Sequence, residues 1–382
     1  MIYIVCFVIS IGAIWVTEHS KKGVITKIIT VVSLILPCLL AALRSPTIGT
    51  DYLVYLKPIF EKAINSTSFY EYLNSSWYSV WRYIYVYDWE IGFTSLIYVV
   101  AKFTKSIKIC AFFVEALVVF PLYKAINNYL IGNKKTIALC IFYFMFFNMS
   151  LNNMRQFIAM SFLLLAFSYI LSENTNYKKA FISFLVAVLF HKTAFIGLAF
   201  YIIYVFITQQ IKKKAKREAL FTKRDHTKKL RKMIFIGIAA ILTVYVVLNV
   251  PFVKGLFSNY GWYLSGTSKI MINQLILRLP VIFTYCICWK RQQTSDKYFF
   301  GAILFVELVL SQLAGMSSQT IRITYYCSYF YIFSIPYFLN YVHKKRNTGK
   351  LLMFTIELYF VIYWIYMYVI SGVGSTFPYI FY

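Results

Sequence analysis

The sequence predicts an all-α, polytopic transmembrane helix bundle of about twelve to fourteen helices, with an outer amphipathic, interfacial segment. Three observations carry this. Sixty per cent of the 382 residues are hydrophobic and 14% charged, with mean hydropathy +0.66. Apolar stretches of bilayer-crossing length recur along the whole chain. The Lys and Arg excess behind the net charge of +26 sits in short connections between those stretches, as cytoplasmic loops of membrane proteins require.

In chain order the spans fall near 2–17, 24–43, 107–123, 136–150, 153–171, 179–193, 194–210, 233–250, 275–289, 298–314, 323–340 and 351–370, with a shorter one near 91–103. The first is followed by Thr17, Glu18 and His19 rather than a small-residue cleavage site, so it is expected to remain as a helix. Basic clusters at Lys21 to Lys27, Lys124 to Lys135, Lys178 and Lys179, Lys212 to Lys232, Lys290 to Lys297 and His343 to Lys350 mark the cytoplasmic side. Lys212 to Lys232 alone holds eleven Lys and Arg, and 211–232 reads as a topology-setting loop with a secondary affinity for anionic lipid, not as a nucleic-acid site.

The outer connections are then 148–156, 190–193, 251–274 and 315–322, within a single integral membrane domain covering 1–382. Between Lys27 and Lys124 an even number of crossings is needed and three spans are visible. Either Trp77 to Tyr87 enters the membrane or 91–103 is re-entrant.

The long polar excursion, 44–90, contains five of the thirteen acidic residues and an aromatic run of Trp77, Tyr78, Trp81, Tyr83, Tyr85, Tyr87 and Trp89. Rings with polar edges belong at headgroup level, so an amphipathic helix along the outer interface is expected here. The seven cysteines lie in apolar spans and show no disulfide framework, and the four histidines are scattered without metal-ligand spacing. No metal and no cofactor is expected.

Ionisable side chains at membrane boundaries are costly without a partner or a task. Arg44, Arg155, His191, Arg278 and Arg322 all fall at predicted outer ends. Pro46 and Gly49 turn the chain after the second span and bring Arg44 towards Asp51, which otherwise would cap the next helix. Arg155, beside Asn152, Asn153 and Gln156, offers a guanidinium that forks around phosphate oxygens. His191 interrupts an outer turn as hydrogen-bonded structure or as a proton-transfer group. Arg322 opens a helix with Tyr325 one turn below, while Arg278 follows Gln274 by four residues. Glu115, Glu307 and Glu357 lie deeper and are expected to pair with Lys or Tyr. Together the boundary cations suit an anion such as a lipid diphosphate.

The motifs Arg44…Gly49-Thr50-Asp51-Tyr52…Tyr55, Trp89-Glu90-Ile91-Gly92-Phe93, Met154-Arg155-Gln156…Ala159, His191-Lys192-Thr193-Ala194 and Arg322…Tyr325-Tyr326 resemble, in this order, the EpsG-like branch of the Wzy polysaccharide polymerases. The resemblance runs from Arg44 to Pro336. It implies a multi-pass enzyme of the bacterial plasma membrane that joins undecaprenyl-diphosphate-linked oligosaccharide repeat units into capsule, exopolysaccharide or O-antigen chains. Its partners would be that lipid-linked glycan, membrane lipid, and the flippase and chain-length regulator of the same pathway. Arg155, Arg322 and Arg44 would neutralise the departing diphosphate, and His191 or Asp51 would orient or deprotonate the attacking hydroxyl. Tyr52, Glu90, Gln156, Arg278 and Tyr325 would contact substrate. An O-antigen-ligase-like transferase and a flippase of lipid-linked oligosaccharide are the alternative readings.

Overall fold

In a computed structural model, residues 1–79, 82–218, 271–290, 292, 296–312, 321–339 and 348–382 are described. The predicted span 233–250, most of the basic loop 211–232, most of the outer connections 251–274 and 315–322, most of the basic cluster 343–350, and Trp81 lie outside them. Among the described residues the chain is mainly helical, with one short hairpin, as the composition predicts. Among the described residues six helices are long and apolar enough to cross a membrane: Ile2–His19, Val24–Ala42, Ile107–Tyr129, Met154–Leu171, Lys192–Ile211 and Leu351–Ile370. The protein is a multi-pass membrane protein.

Contacts divide it into two units, the first of Met1–Gly197, Phe283–Gln292 and Tyr329–Tyr382, the second of Leu198–Ile282 and Gln293–Ser328. In the first, α9 (Met154–Leu171) is central. Seventy-eight per cent of its spanning window is buried, against 33% for α1 (Ile2–His19) and α2 (Val24–Ala42). It packs between α6 (Ile107–Tyr129) and α10 (Tyr177–Phe190), and its Ala159, Ser161 and Ala166 let the neighbours approach closely.

Two sets of long-range contacts define the ends of this unit. At one, Lys135 pairs with Glu18 (2.8 Å) and donates to Asn127 Oδ1 (2.7 Å). At the other, the Tyr3 hydroxyl donates to the Thr376 carbonyl (2.7 Å) and the Asn148 amide to the Thr376 hydroxyl (3.0 Å). The length of α1, 18 residues or about 27 Å at 1.5 Å per residue, separates them.

The excursion departs from the sequence expectation. Its helices are α3 (Lys57–Asn65) and α4 (Phe69–Asn74), whereas the aromatic run forms an antiparallel hairpin, β1 (Ser76–Ser79) with β2 (Arg82–Tyr85), pairing Trp77 with Ile84 and Tyr78 with Tyr83. Ring-bearing residues at alternate positions suit a pleated strand, which is why the run is not helical.

The helix α5 (Ile91–Thr104) covers the short apolar segment predicted near 91–103. The Tyr72 hydroxyl donates to the Thr94 carbonyl (3.1 Å), and at the far end of α5 Lys102 donates to the carbonyls of Ile64 (3.2 Å) and Ser66. Lys108 then lies over the Tyr382 ring (4.4 Å), whose backbone N–H bonds the Leu43 carbonyl (2.9 Å). Both ends of α5 therefore contact the excursion.

Two predicted spans are interrupted. The span at 136–150 is α7 (Lys134–Ile141), a π-helical stretch (Phe142–Phe146) and α8 (Phe147–Ser150). The span at 323–340 is two helices, Ile321–Ser328 and Tyr331–Leu339, the first in the second unit and the other in the first.

Candidate functional site: a charged cluster at one end of the first unit

After α2 the chain turns at Gly49, whose φ of +78° is accessible to glycine at little cost. A Cβ there would stand 2.7 Å from the Leu151 carbonyl, so the loop is held hard against the turn before α9. Asn152 completes the clamp, its Oδ1 accepting from the Thr50 hydroxyl (2.8 Å) and the Asp51 N–H (3.3 Å). Asp51 does not cap the next helix with its side chain. Its Oδ2 accepts from the Tyr55 hydroxyl (2.8 Å), one turn on. Burial and then the Asp51 charge hold Tyr55 well above the ordinary phenol range, so Tyr55 remains the donor in this pair.

Arg155 sits in the first turn of α9. Its guanidinium lies 4.2 Å from the Trp89 ring centroid and 5.1 Å from that of Tyr55, and its Nη1 donates to Glu90 Oε2. The Nε–H is buried, with no hydrogen-bond partner among the described residues. Glu90, the residue before α5, also accepts from the Lys192 N–H (3.2 Å) through Oε1, which stands 3.9 Å from His191 Nδ1. Burial raises the Glu90 carboxyl, but the Arg155 guanidinium, helped by the Lys192 N–H, outweighs it and the net shift is downward.

His191 follows α10. Its Nδ1 accepts from the Thr193 N–H (3.3 Å) and bonds the Thr193 hydroxyl (2.8 Å). Accepting from a backbone N–H requires a lone pair on Nδ1, which puts the proton of the neutral ring on Nε2.

Arg44 is 2% exposed, more enclosed than a side chain reaching for headgroups would be. Its Nη2 faces the Met154 sulfur (3.7 Å), its guanidinium lies 5.5 Å from the Tyr52 ring centroid, and its Nε has no hydrogen bond among the described residues. Burial pulls it below the ordinary guanidinium value, opposed by the buried Glu115 carboxylate. Tyr52, 2% exposed, is a wall of the Arg44 pocket.

Sequence reasoning missed the segment closing this pocket. After Ile370 the chain folds back over the loop: Phe381 bridges to Arg44, the Ser45 N–H bonds the Ile380 carbonyl (2.7 Å) and the Gly49 N–H the Ser375 carbonyl (3.1 Å). Gly372, Gly374 and Pro378 signal turns, but nothing local names their partners. Asn152 and Trp89 were visible as residues, not as the clamp and the ring that hold Asp51 and Arg155.

The structure thus joins Asp51, Glu90, Arg155 and His191 through direct contacts in the first unit, with Arg44 and Tyr52 beside the same loop. Gln156 follows Arg155 and is 4% exposed. Arg278, Arg322 and Tyr325 belong to the second unit. There Arg278 Nε donates to Glu307 (2.7 Å) and Nη1 to the Gln274 carbonyl and side chain (2.8 Å each), Arg322 is exposed and Tyr325 half-buried. The deep carboxylates also find partners other than the expected Lys or Tyr: Glu307 takes Arg278, and Glu115 accepts from the Ser150 hydroxyl (2.9 Å).

These features define a multi-pass helical membrane protein with arginine, carboxylate and imidazole groups gathered at one end of a bundle. Such a constellation serves an anionic or hydroxyl-bearing substrate. The chain belongs to the EpsG family, which it matches over residues 27–381. Membership supports an exopolysaccharide-polymerase type of function, glycosyltransferase-like in general character. No curated protein and no solved structure matches the chain.

Proposed function

We propose that this protein joins oligosaccharide repeat units carried on undecaprenyl diphosphate, at the outer face of the bacterial plasma membrane, into a capsular, exopolysaccharide or O-antigen chain. The observation that carries this reading is the contact chain Asp51–Tyr55–Arg155–Glu90, joined to His191–Thr193, in a chain of the EpsG family. The basic clusters near Lys21 and Lys135 belong to the opposite end of the unit, which by the positive-inside bias supports an outer-face reading of the site.

In the reaction, a sugar hydroxyl of one repeat unit attacks the anomeric carbon of the growing chain. The new glycosidic C–O bond forms as the bond from that carbon to the diphosphate breaks, and undecaprenyl diphosphate leaves with the electron pair. Arg155 and Arg44 stabilise the charge that develops on it, the kind of contribution that usually dominates such catalysis. Asp51, half-buried and held by Tyr55, takes the proton of the attacking hydroxyl. His191, with Nδ1 engaged by Thr193, presents Nε2–H and orients the substrate. Arg322 enters this reading through the family resemblance and Tyr325 with it. Arg278, matched by Glu307, is given a structural role.

The test uses membranes from a strain lacking the protein, supplied with its own accumulated lipid-linked repeat units. The wild-type chain should produce polymer, with R155A and D51N reduced by on the order of 10²-fold or more at equal abundance. Polymer from both variants at the wild-type rate would overturn the assignment. Transfer to another acceptor without polymer would instead indicate a ligase, and repeat units confined to the inner leaflet of the deletion strain a flippase.

A further inference from the structure

The hairpin presents two unlike faces. On one, Trp77 and its cross-strand partner Ile84 turn inward, and Trp77 stacks on Trp89 (centroids 6.4 Å, planes 11° apart), the ring that carries Arg155. On the other stand Tyr78 and its partner Tyr83, 62% and 67% exposed with rings in edge contact at 5.4 Å. Tyr85 and Tyr87 continue this face as a stacked pair at 4.9 Å. No hydrogen bond among the described residues engages these four hydroxyls.

This surface differs from the lipid-facing parts of the chain. Helices α1 and α2 expose Val8, Ile9, Val24, Ile25 and Ile28, purely apolar side chains. The hairpin face exposes only phenols, whose rings offer flat apolar area and whose hydroxyls need a polar partner. A ligand that satisfies both is a pyranose chain, with C–H-rich faces to lie on rings and equatorial hydroxyls to bond phenols. The opposite face of the same hairpin rests on the candidate site through Trp77, Trp89 and Arg155, so the platform stands on the far side of the element that abuts the site.

We propose that Tyr78, Tyr83, Tyr85 and Tyr87 form a binding platform for an extended carbohydrate chain, the polymer product, leading away from the Asp51–Arg155 site. The platform rests on the polymerase reading. It holds the growing chain between additions, so it governs product length and leaves the joining step itself alone.

The same membrane assay separates the two. With lipid-linked repeat units from the deletion strain, the fourfold variant Y78S/Y83S/Y85S/Y87S should couple the first two units within twofold of wild type, yet give a median polymer length at least threefold shorter. The fourfold Phe variant, with rings and without hydroxyls, should fall between. Unchanged length in the Ser variant overturns the platform, as does a Phe variant equal to wild type, which marks a membrane anchor. Parallel loss of first coupling and length also overturns it. Failure of the wild-type protein to couple at all refutes the polymerase reading instead. If the fourfold variant does not reach the membrane, single Y83S and Y87S variants, at residues more than half exposed, decide by the same length criterion.

Discussion

Replacing Gly92 by Ala should uncouple the Glu90 hub while leaving every charged residue in place. Gly92 is the second residue of α5, and an added Cβ would stand 2.7 Å from the Leu189 carbonyl oxygen and 3.0 Å from its carbon. Ordinary contact begins at 3.4 Å, so α5 and the end of α10 must part by about 0.7 Å, the difference between 3.4 and 2.7 Å. Glu90 lies two residues before this contact and His191 two residues after it. The Lys192 N–H to Glu90 Oε1 bond, now 3.2 Å, would open to about 3.9 Å, past hydrogen-bonding range. Overpacking of this kind costs about 1–3 kcal/mol of stability. Misplacement approaching 1 Å in a catalytic site costs on the order of 10–100-fold in rate. The assay is polymer formed per unit of protein in membranes of a deletion strain, beside the melting temperature of the purified protein. Shaving the Leu189 side chain should not rescue G92A, because the obstacle is backbone. G197A is the control: its Cβ would meet the Leu163 Cδ1 and the Phe184 ring, flexible side-chain ends that can move, so it should retain most activity. A G92A protein that melts and polymerises like wild type, or that loses no more activity than G197A, would refute this reasoning.

Three further outcomes are expected. The lowered Glu90 carboxyl contributes stability that is complete above the unfolded value of about 4.3 and is lost as pH falls through the lower folded value; melts against pH should show this acid limb, and E90Q should lose it while melting lower at pH 7. T376V should leave the buried Asn148 amide without its acceptor and destabilise by about 1–3 kcal/mol, with T376S restoring the melt; an unchanged T376V would mean the returning C-terminal segment is not a fixed wall. R278M and E307L singly should each cost about 3–5 kcal/mol, the double far less, with polymerisation retained; loss of polymer in a stable double variant would return Arg278 to the substrate site.

The all-helical membrane class was legible because composition and loop charge are local properties that survive any packing. The candidate ends were legible for the same reason: an Arg or His at a span boundary is visible without coordinates, and Asp51, Glu90, Arg155 and His191 do meet. What the sequence withheld are choices between partners. Arg44 and Arg155 look alike as boundary arginines, yet one faces Met154 and Tyr52 and the other a carboxylate. Glu307 finds Arg278 29 residues away, and Thr376 finds Asn148 228 residues away, separations at which no periodicity speaks. The hairpin was half visible. Tyr83, Tyr85 and Tyr87 recur at a spacing of two, a strand period, but the aromatic content drew the reading towards an interfacial helix.

The pairing of Arg155 with Glu90 bears on how such a site receives an anion. A half-buried guanidinium with no counter-charge is costly to hold, and removing one partner of a buried pair costs about 3–5 kcal/mol. Glu90 and the rings of Trp89 and Tyr55 meet that cost, and the rings fix the guanidinium plane independently of the carboxylate. Nη1 is committed to Glu90 while the buried Nε bonds no described group, so on the proposed reading a diphosphate oxygen admitted by a shift of the surrounding side chains would find a donor without breaking the ion pair. Arg44 works differently: no ion pair holds it among the described residues, and its pocket is closed by Tyr52 and the segment bearing Phe381. One arginine is thus restrained by charge and the other by enclosure. On the proposed polymerase reading, a substrate would reach the first by adding a contact and the second only if the strap over it yields, so Arg155 would be the primary anchor of the leaving group and Arg44 its secondary support.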